Sequence, residues 1–374
     1  MASFAGRISR RSVLFSGLSA ARLLAQKNKE PEKGPTFPSD LRQYSDPSTE
    51  LTVYRFTDPA YTSTLPAPYG RAISRNSAWM LFACDRTGAP QAFYIDLKNG
   101  ETRQLTEVEA LDPVSLTLTP DNRSFCYFAG RSLWLANVNT LHARELYQVP
   151  AGWERVPGGV AVEADGTHAV FAEQRAGGSR IRLVALSHGA VQTVIEPPFA
   201  ASHPIPRPVH AAQILYRQGD EALWLVDTDG RQNRRLQTAD GRVGQADWSP
   251  DGRTVLYLNF PSDSTQLNAI REIAPEQNTE KLVAKTSQFV SFGFNRDTSV
   301  FVGASRNRGS PVVLLLLRMT RREFTLCEHK SARPVEVAPR FSPDSQRVYF
   351  VSDRHGKPAI YGMHVEKLVE RTDA

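Results

Sequence analysis

The segment HPIPRP, residues 203–208, places a histidine and an arginine four residues apart. Histidine is the side chain that most readily exchanges a proton near neutral pH, and arginine binds carboxylate and phosphate groups. On their own, His203 and Arg207 define no reaction. The sequence contains no GxSxG, HExxH, P-loop or CxxC motif that would assign one.

The composition is that of a globular protein with a modest positive charge. The chain has 374 residues, 41% of them hydrophobic, and a formal net charge of +6. This charge favours anionic partners without naming one. Nucleic-acid binding is not predicted, because no basic cluster with interleaved aromatic residues is present. The body of the chain has no run of 18 apolar residues, so we expect no membrane-spanning helix there.

The three cysteines, Cys84, Cys126 and Cys327, lack the spacing that is typical of metal ligands. An odd number leaves at least one thiol unpaired. We expect all three to be small buried residues in strands.

The N-terminus has the pattern of an export signal. A basic segment that ends in Arg10-Arg11 precedes a short apolar run, Val13 to Ala21, and a polar linker rich in Pro and Lys follows. SRRSVL, residues 9–14, resembles a twin-arginine motif. We therefore predict an export signal at 1–25, a polar linker at 26–49 and a periplasmic or exported protein.

The body of the chain repeats one unit, a polar turn followed by alternating strands. The turn residues recur at intervals of 41 to 47 residues, at Asn76, Asp121, Asp165, His210, Asp251, Asp297 and Asp344. A period of about 40–50 residues with four strands per unit is the signature of a β-propeller.

Seven such units predict an all-β protein, a seven-bladed β-propeller with four-stranded blades over residues 50–366 and a C-terminal tail at 367–374. The segment LTVYRF, residues 51–56, precedes the first unit and is predicted to close the ring by completing the last blade. The SPDG-type turns are expected to orient strands. Function in propellers usually lies on loops at one end of the central channel.

Several longer motifs narrow the type of propeller. The chain reads DRTGAPQAFYIDLKNGETRQLTE at 85–107, HPIPRP at 203–208, VGQADWSPDG at 243–252 and APRFSPDSQRVYFVSDRHGKPAIY at 338–361. In this order and spacing, over roughly residues 50 to 365, the sequence resembles the oligogalacturonate lyase family. Single motifs of this kind are generic to TolB-like propellers.

The resemblance implies cleavage of pectin-derived uronic acid oligosaccharides by β-elimination. A base removes the proton next to the uronate carboxylate, whose charge must be neutralised by a metal or by arginines. The family's metal is usually manganese, held by three histidines and a glutamine.

The resemblance also implies roles for residues of this chain. His203 stands where the family carries His-Pro and is the candidate base, with Arg207 as a second catalytic residue. Arg217 and Arg333 are candidates for substrate binding. Gln245 and Glu336 fall at metal-ligand positions and offer oxygen atoms, which manganese accepts. None of the family's three histidines is present at these positions, so we do not expect its high-affinity metal site.

Three functions remain open from the sequence. The protein is a lyase with an altered or lost metal site, a non-catalytic propeller that binds an acidic sugar or a protein partner, or a TolB-like envelope scaffold. Clustering of the candidate residues at one channel mouth would favour the first two functions.

Overall fold

The computed structural model describes residues 34–209, 212–286 and 288–369. The predicted export signal, the first part of the predicted linker, the turn residue His210 and the end of the predicted tail lie outside these residues. The described chain forms seven antiparallel sheets of four or five strands each. The prediction of a seven-bladed β-propeller is therefore confirmed.

Strands account for nearly all of the regular structure. Three strands precede the first blade: β1 (Thr36–Phe37), β2 (Arg42–Ser45) and β3 (Thr52–Arg55). Blade 1 contains β4 (Ser63–Thr64), β5 (Trp79–Cys84), β6 (Gln91–Asp96) and β7 (Thr102–Gln104). Blade 2 contains β8 (Thr117–Leu118), β9 (Ser124–Ala129), β10 (Ser132–Asn137) and β11 (Ala143–Gln148). Blade 3 contains β12 (Glu154–Arg155), β13 (Ala161–Val162), β14 (His168–Arg175), β15 (Gly178–Ala185) and β16 (Val191–Ile195).

The second half of the chain forms the remaining blades. Blade 4 contains β17 (Ala201–Pro206), β18 (Gln213–Gln218), β19 (Ala222–Asp227) and β20 (Arg234–Arg235). Blade 5 contains β21 (Arg242–Trp248), β22 (Val255–Phe260), β23 (Asn268–Ala274) and β24 (Thr279–Thr286). Blade 6 contains β25 (Phe289–Phe294), β26 (Val300–Ser305), β27 (Val312–Leu317) and β28 (Arg322–Glu328). Blade 7 contains β29 (Arg340–Phe341), β30 (Arg347–Ser352) and β31 (Ala359–His364), and the short helix α1 (Glu366–Val369) follows it. Short 3-10 turns lie at Pro113–Ser115 and Pro334–Val337.

The N-terminal segment closes the ring as predicted. Strand β3 pairs with β31, with Tyr54 opposite Gly362 and Arg55 opposite Tyr361, so the last blade gains its fourth strand from the start of the chain. Strand β2 adds a fifth, outermost strand to the same blade, and β1 pairs with β7 at the edge of blade 1. The segment predicted as a polar linker thus contains two strands between residues 36 and 45.

The recurring turns are held by their own side chains. In blade 5, the hydroxyl of Ser249 donates to the Asp251 carboxylate at 2.7 Å, which also accepts the amide of Arg253 at 3.1 Å. Thr119 donates to Asp121 in the same way in blade 2, at 2.6 Å. Such local bonds fix a tight turn at the end of each innermost strand, which explains the regular repeat in the sequence.

The core lies between neighbouring blades, where alternate residues of two facing sheets pack together. One cluster joins blades 4 and 5 through Leu215, Leu225, Val255 and Tyr257, all of them buried. Cys84, Cys126 and Cys327 are buried free thiols in strands, as predicted. In the described part of the chain, no helix is both long and apolar enough to cross a membrane.

Candidate active site

A cavity of about 770 Å³ lies at one mouth of the central channel. The innermost strands of blades 4, 5 and 6, which are β17, β21 and β25, contribute to its wall. The segment between β4 and β5 of blade 1 and the segment that leads into blade 7 complete it. Five of the six predicted site residues line it: His203, Arg217, Gln245, Arg333 and Glu336. Residues from positions up to 133 apart in the chain therefore meet at one end of the channel.

His203 is held at the cavity wall by an irregularity in β17. The pairing between β17 and β18 shifts between Ser202 and Ile205, which leaves an extra residue in β17, a β-bulge. His203 adopts the left-handed conformation with φ of 50°, and its ring packs edge-on against Tyr69 at 5.9 Å between centroids. The bulge turns the imidazole out of the sheet and toward the channel mouth.

Burial keeps the His203 imidazole neutral. Its Nδ1 atom is buried without a hydrogen-bond partner. Burial, and then the nearby charge of Arg217, lower the pKa of His203 to about 4. At neutral pH the ring is therefore unprotonated and has a free lone pair, which is the state that a general base requires.

Arg217 lies beside His203 as a fixed cation. Its Nε donates to the Gly219 carbonyl at 3.1 Å, and its Nη2 donates to the Val243 carbonyl at 2.7 Å. Burial lowers the pKa of the Arg217 guanidinium, but arginine remains protonated at neutral pH. The remaining donors of this guanidinium are placed to hold an anion in the cavity.

Arg333 and Glu336 lie at the rim. Their side chains form an ion pair at 3.1 Å and are 74% and 53% exposed. An exposed ion pair of this kind contributes little to stability and exchanges readily with solvent or ligand. Arg333 is therefore available to an incoming anion at the entrance of the cavity.

Arg207 lies outside this cavity. Along an extended strand, four residues span about 13 Å, so Arg207 is carried from the mouth toward the turn that follows β21. There its Nε donates to the Gly252 carbonyl at 2.6 Å, its Nη2 pairs with Glu276 at 2.8 Å, and its guanidinium stacks on Trp248 at 5.0 Å. The side chain joins blades 4 and 5, and we do not include it in the proposed site.

Sequence reasoning missed Asp247, which lies two residues after Gln245 in β21 and also lines the cavity. One of its carboxylate oxygens accepts the amide of Trp248 at 2.8 Å. Burial raises the pKa of Asp247 to about 7, against the lowering effect of that amide and of the Arg340 charge. Polar residues at alternate positions of an innermost strand are the signal that could have predicted it.

Tyr69 is a second residue that the sequence did not indicate. It lies in the segment between β4 and β5 of blade 1 and lines the cavity. Its hydroxyl donates to the Gly158 carbonyl, and burial raises the pKa of the phenol. Gly158 has a φ of 132°, and a Cβ atom there would lie 3.2 Å from His203 Nε2. This close approach positions Tyr69 and His203 against each other. No sequence pattern near Tyr69 predicts this contact.

The residues at the predicted metal positions do not fit a manganese site. Both polar atoms of the Gln245 side chain are bonded to the backbone of Phe292, and the Glu336 carboxylate is paired with Arg333. Among the described residues, no group of three His, Cys, Asp or Glu side chains converges as metal ligands do. We therefore derive no catalytic step through a metal.

The fold and the cavity together define a seven-bladed β-propeller with a candidate site at one channel mouth. A family profile described as oligogalacturonate lyase matches residues 32–177, and one described as TolB beta propeller domain matches residues 223–371. These matches, with those to the proteins described next, confirm that the chain resembles the oligogalacturonate lyase family.

Two curated relatives match nearly the whole propeller. An oligogalacturonide lyase of Pectobacterium atrosepticum is 24% identical over 88% of this chain and 97% of that protein. An oligogalacturonate lyase of Dickeya dadantii is 23% identical over the same shares. A solved oligogalacturonate lyase in complex with manganese has a TM-score of 0.83 at 24% identity, covering 89% of this chain and 98% of that one. The enzyme of Vibrio parahaemolyticus also reaches 0.83, at 22% identity, covering 90% of this chain and 100% of that one.

Proposed function

We propose that the protein binds pectin-derived uronic acid oligosaccharides in the mouth cavity and cleaves them by β-elimination. The observation that carries this proposal is the meeting of His203, Arg217 and Asp247 on one cavity of about 770 Å³. The volume lies within the range of small-ligand sites. The whole-length likeness to proteins named as oligogalacturonate lyases supports the choice of substrate class.

The three side chains supply what the elimination needs. Arg217 holds the uronate carboxylate and neutralises its charge, which makes the adjacent C5 proton more acidic. His203, kept unprotonated by burial, takes that proton, and the electron pair forms the double bond between C4 and C5. The C4–O bond breaks, and the leaving oxygen receives a proton from Asp247, whose raised pKa keeps a large protonated fraction near neutral pH.

The test is the ultraviolet absorbance of a short oligogalacturonate incubated with the purified protein, with and without manganese and with a chelator. We expect rising absorbance from the unsaturated uronate under all three conditions. The substitution His203→Ala should lower kcat by about 10²–10⁴-fold. His142→Ala removes an exposed histidine far along the sequence from the site and should leave the rate unchanged. No absorbance change under any condition would overturn the proposed cleavage.

A non-catalytic propeller that binds the same acidic sugars is the second candidate. The low pKa of His203 favours it, because a base of this kind accepts a proton less strongly than an ordinary histidine. In that case calorimetry would detect oligomer binding that Arg217→Ala weakens, while absorbance stays flat.

A further inference from the structure

A second cavity of about 360 Å³ continues the channel beneath the mouth cavity. Pro68, Gln245 and Asp247 line both cavities and thus form the boundary between them. The wall of the lower cavity comes from the innermost strands of blades 5, 6 and 7 and from the segment between β4 and β5 of blade 1. The mechanism proposed above makes no use of this space.

Three arginines line this lower cavity, namely Arg71, Arg75 and Arg340. Among the described residues, none of the three forms an ion pair with a carboxylate. Burial, and then the nearby charge of Arg75, lower the pKa of Arg71. The single acidic residue of the wall is Asp247, whose pKa is raised to about 7, so the cavity carries a net positive charge at neutral pH.

Arg340 is the most enclosed of these cations. Its Nη2 donates to the Pro66 carbonyl at 2.8 Å, while its Nε and Nη1 are buried without a hydrogen-bond partner. A buried charged donor without a partner is costly, and such groups are normally paired. Burial lowers the pKa of Arg340 to about 10, so the guanidinium remains charged at neutral pH.

We propose that the lower cavity is an anion site that binds a small carboxylate, of the size of one sugar acid, against Arg340, Arg71 and Arg75. A carboxylate accepts hydrogen bonds from guanidinium groups and would provide acceptors for the two Arg340 nitrogens that lack a partner. Phe292, Phe294 and Ile73 contribute apolar surface to the same wall, against which the ring of a sugar acid can pack. The site adjoins the one proposed for cleavage and shares Pro68, Gln245 and Asp247 with it.

The lower cavity opens at the end of the channel opposite the mouth. Arg75, Phe294, Phe341 and Pro343 line both this cavity and a third depression, which also contains Pro250, in the turn that follows β21. The mouth cavity, by contrast, is lined by residues 242–247 of β21 and by no residue of the turn that follows this strand. A small anion can therefore reach Arg75 first and Arg340 deeper in the channel without passing the mouth.

Isothermal calorimetry with galacturonate, galactose and inorganic phosphate tests this proposal. Galacturonate has no 4-linked sugar to eliminate, so the result does not depend on cleavage. Galactose carries a neutral hydroxymethyl group in place of the carboxylate and is otherwise the same sugar. We expect galacturonate to bind and galactose not to bind. Binding of phosphate without galacturonate would overturn the assignment to a carboxylate.

Variants locate the binding. Arg340→Met should abolish binding to the lower cavity, measured in the Arg217→Ala background so that the mouth does not contribute, and Arg75→Ser, at an exposed position, should weaken it about tenfold. Arg296→Ser is the matched control, because it removes a cation from the adjacent depression without altering the lower cavity. Arg217→Ala, at the mouth, should leave galacturonate binding to the channel intact. Loss of binding in Arg217→Ala but not in Arg75→Ser would place the monomer at the mouth and overturn the proposal.

Discussion

The side chain of Gln245 is bonded at both ends to the backbone of Phe292. Its Nε2 donates to the Phe292 carbonyl at 2.6 Å, and its Oε1 accepts the Phe292 amide at 3.1 Å. Gln245 lies in a bulge of β21, where the pairing with β22 shifts between Val243 and Ala246. A residue at a predicted metal position therefore joins the innermost strands of blades 5 and 6.

Removing these two hydrogen bonds between Gln245 and Phe292 should destabilise the propeller. Gln245→Ala leaves the amide and the carbonyl of Phe292 without their partners, which costs about 1–3 kcal/mol for each buried group. We expect a lower denaturant midpoint in equilibrium unfolding. Gln237→Ala, at an exposed position, is the matched control and should change little. Equal stability of both variants would contradict the structural role of Gln245.

Chelation should leave the protein's stability unchanged. A bound structural metal stabilises the folded state by mass action, but the Gln245 amide is occupied by backbone and the Glu336 carboxylate by Arg333. We expect the same Tm in calorimetric scans with excess manganese and with excess chelator. A drop in Tm on chelation would reveal ligands other than those at the predicted positions.

The pH dependence of cleavage should be bell-shaped. The base His203 must be unprotonated, so activity is lost as pH falls through its pKa of about 4. The acid Asp247 must be protonated, so activity is lost as pH rises through its pKa of about 7. The profile of kcat/KM should therefore peak on the acid side of neutrality.

Asp247→Asn tests this assignment, because an amide cannot donate the proton. We expect kcat to fall by about 10²–10⁴-fold. The pH profile of the remaining activity should no longer show the decrease near pH 7. Persistence of that decrease in the variant would assign it to another group.

Substitution of Arg207 should lower the stability of the protein, whereas substitution of Arg217 should weaken substrate binding. Arg207→Ala removes contacts with Gly252, Glu276 and Trp248, so we expect a loss of about 2–4 kcal/mol in unfolding free energy and an unchanged KM. Arg217→Ala should instead raise KM or the Kd for the oligomer by about tenfold or more. A change of KM in Arg207→Ala but not in Arg217→Ala would instead show that Arg207 belongs to the binding site.

We propose export by the twin-arginine route from the sequence of residues 9–14. Replacing Arg10 and Arg11 by lysine keeps the charge but removes the arginine pair that defines the motif. We expect the wild-type protein in the periplasmic fraction of a Gram-negative host and the double variant in the cytoplasm. An identical distribution of the two proteins would contradict this route.

The fold could be predicted because its determinants are local. Turn residues such as Asp121, Asp251 and Asp344 bond to their own neighbours, and alternating strands between them need no distant information. The strand that closes the ring, β3, could be predicted because its segment has the same alternating pattern as the strands of the repeats. The pairing of β1 and β2 was not, because short, mostly polar edge strands lack such alternation.

The site depended on the tertiary structure. His203 and Arg207 are neighbours in sequence, yet an extended strand carries them toward opposite ends of the channel, whereas His203 meets Tyr69 and Asp247 from other blades. In the sequence alone, nothing distinguishes Asp247 and Arg340 from other charged residues. Burial in the channel gives Asp247 a pKa of about 7 and leaves Arg340 with two nitrogen donors that have no hydrogen-bond partner. Desolvation and neighbouring charge are properties of the closed ring, and no single repeat contains them.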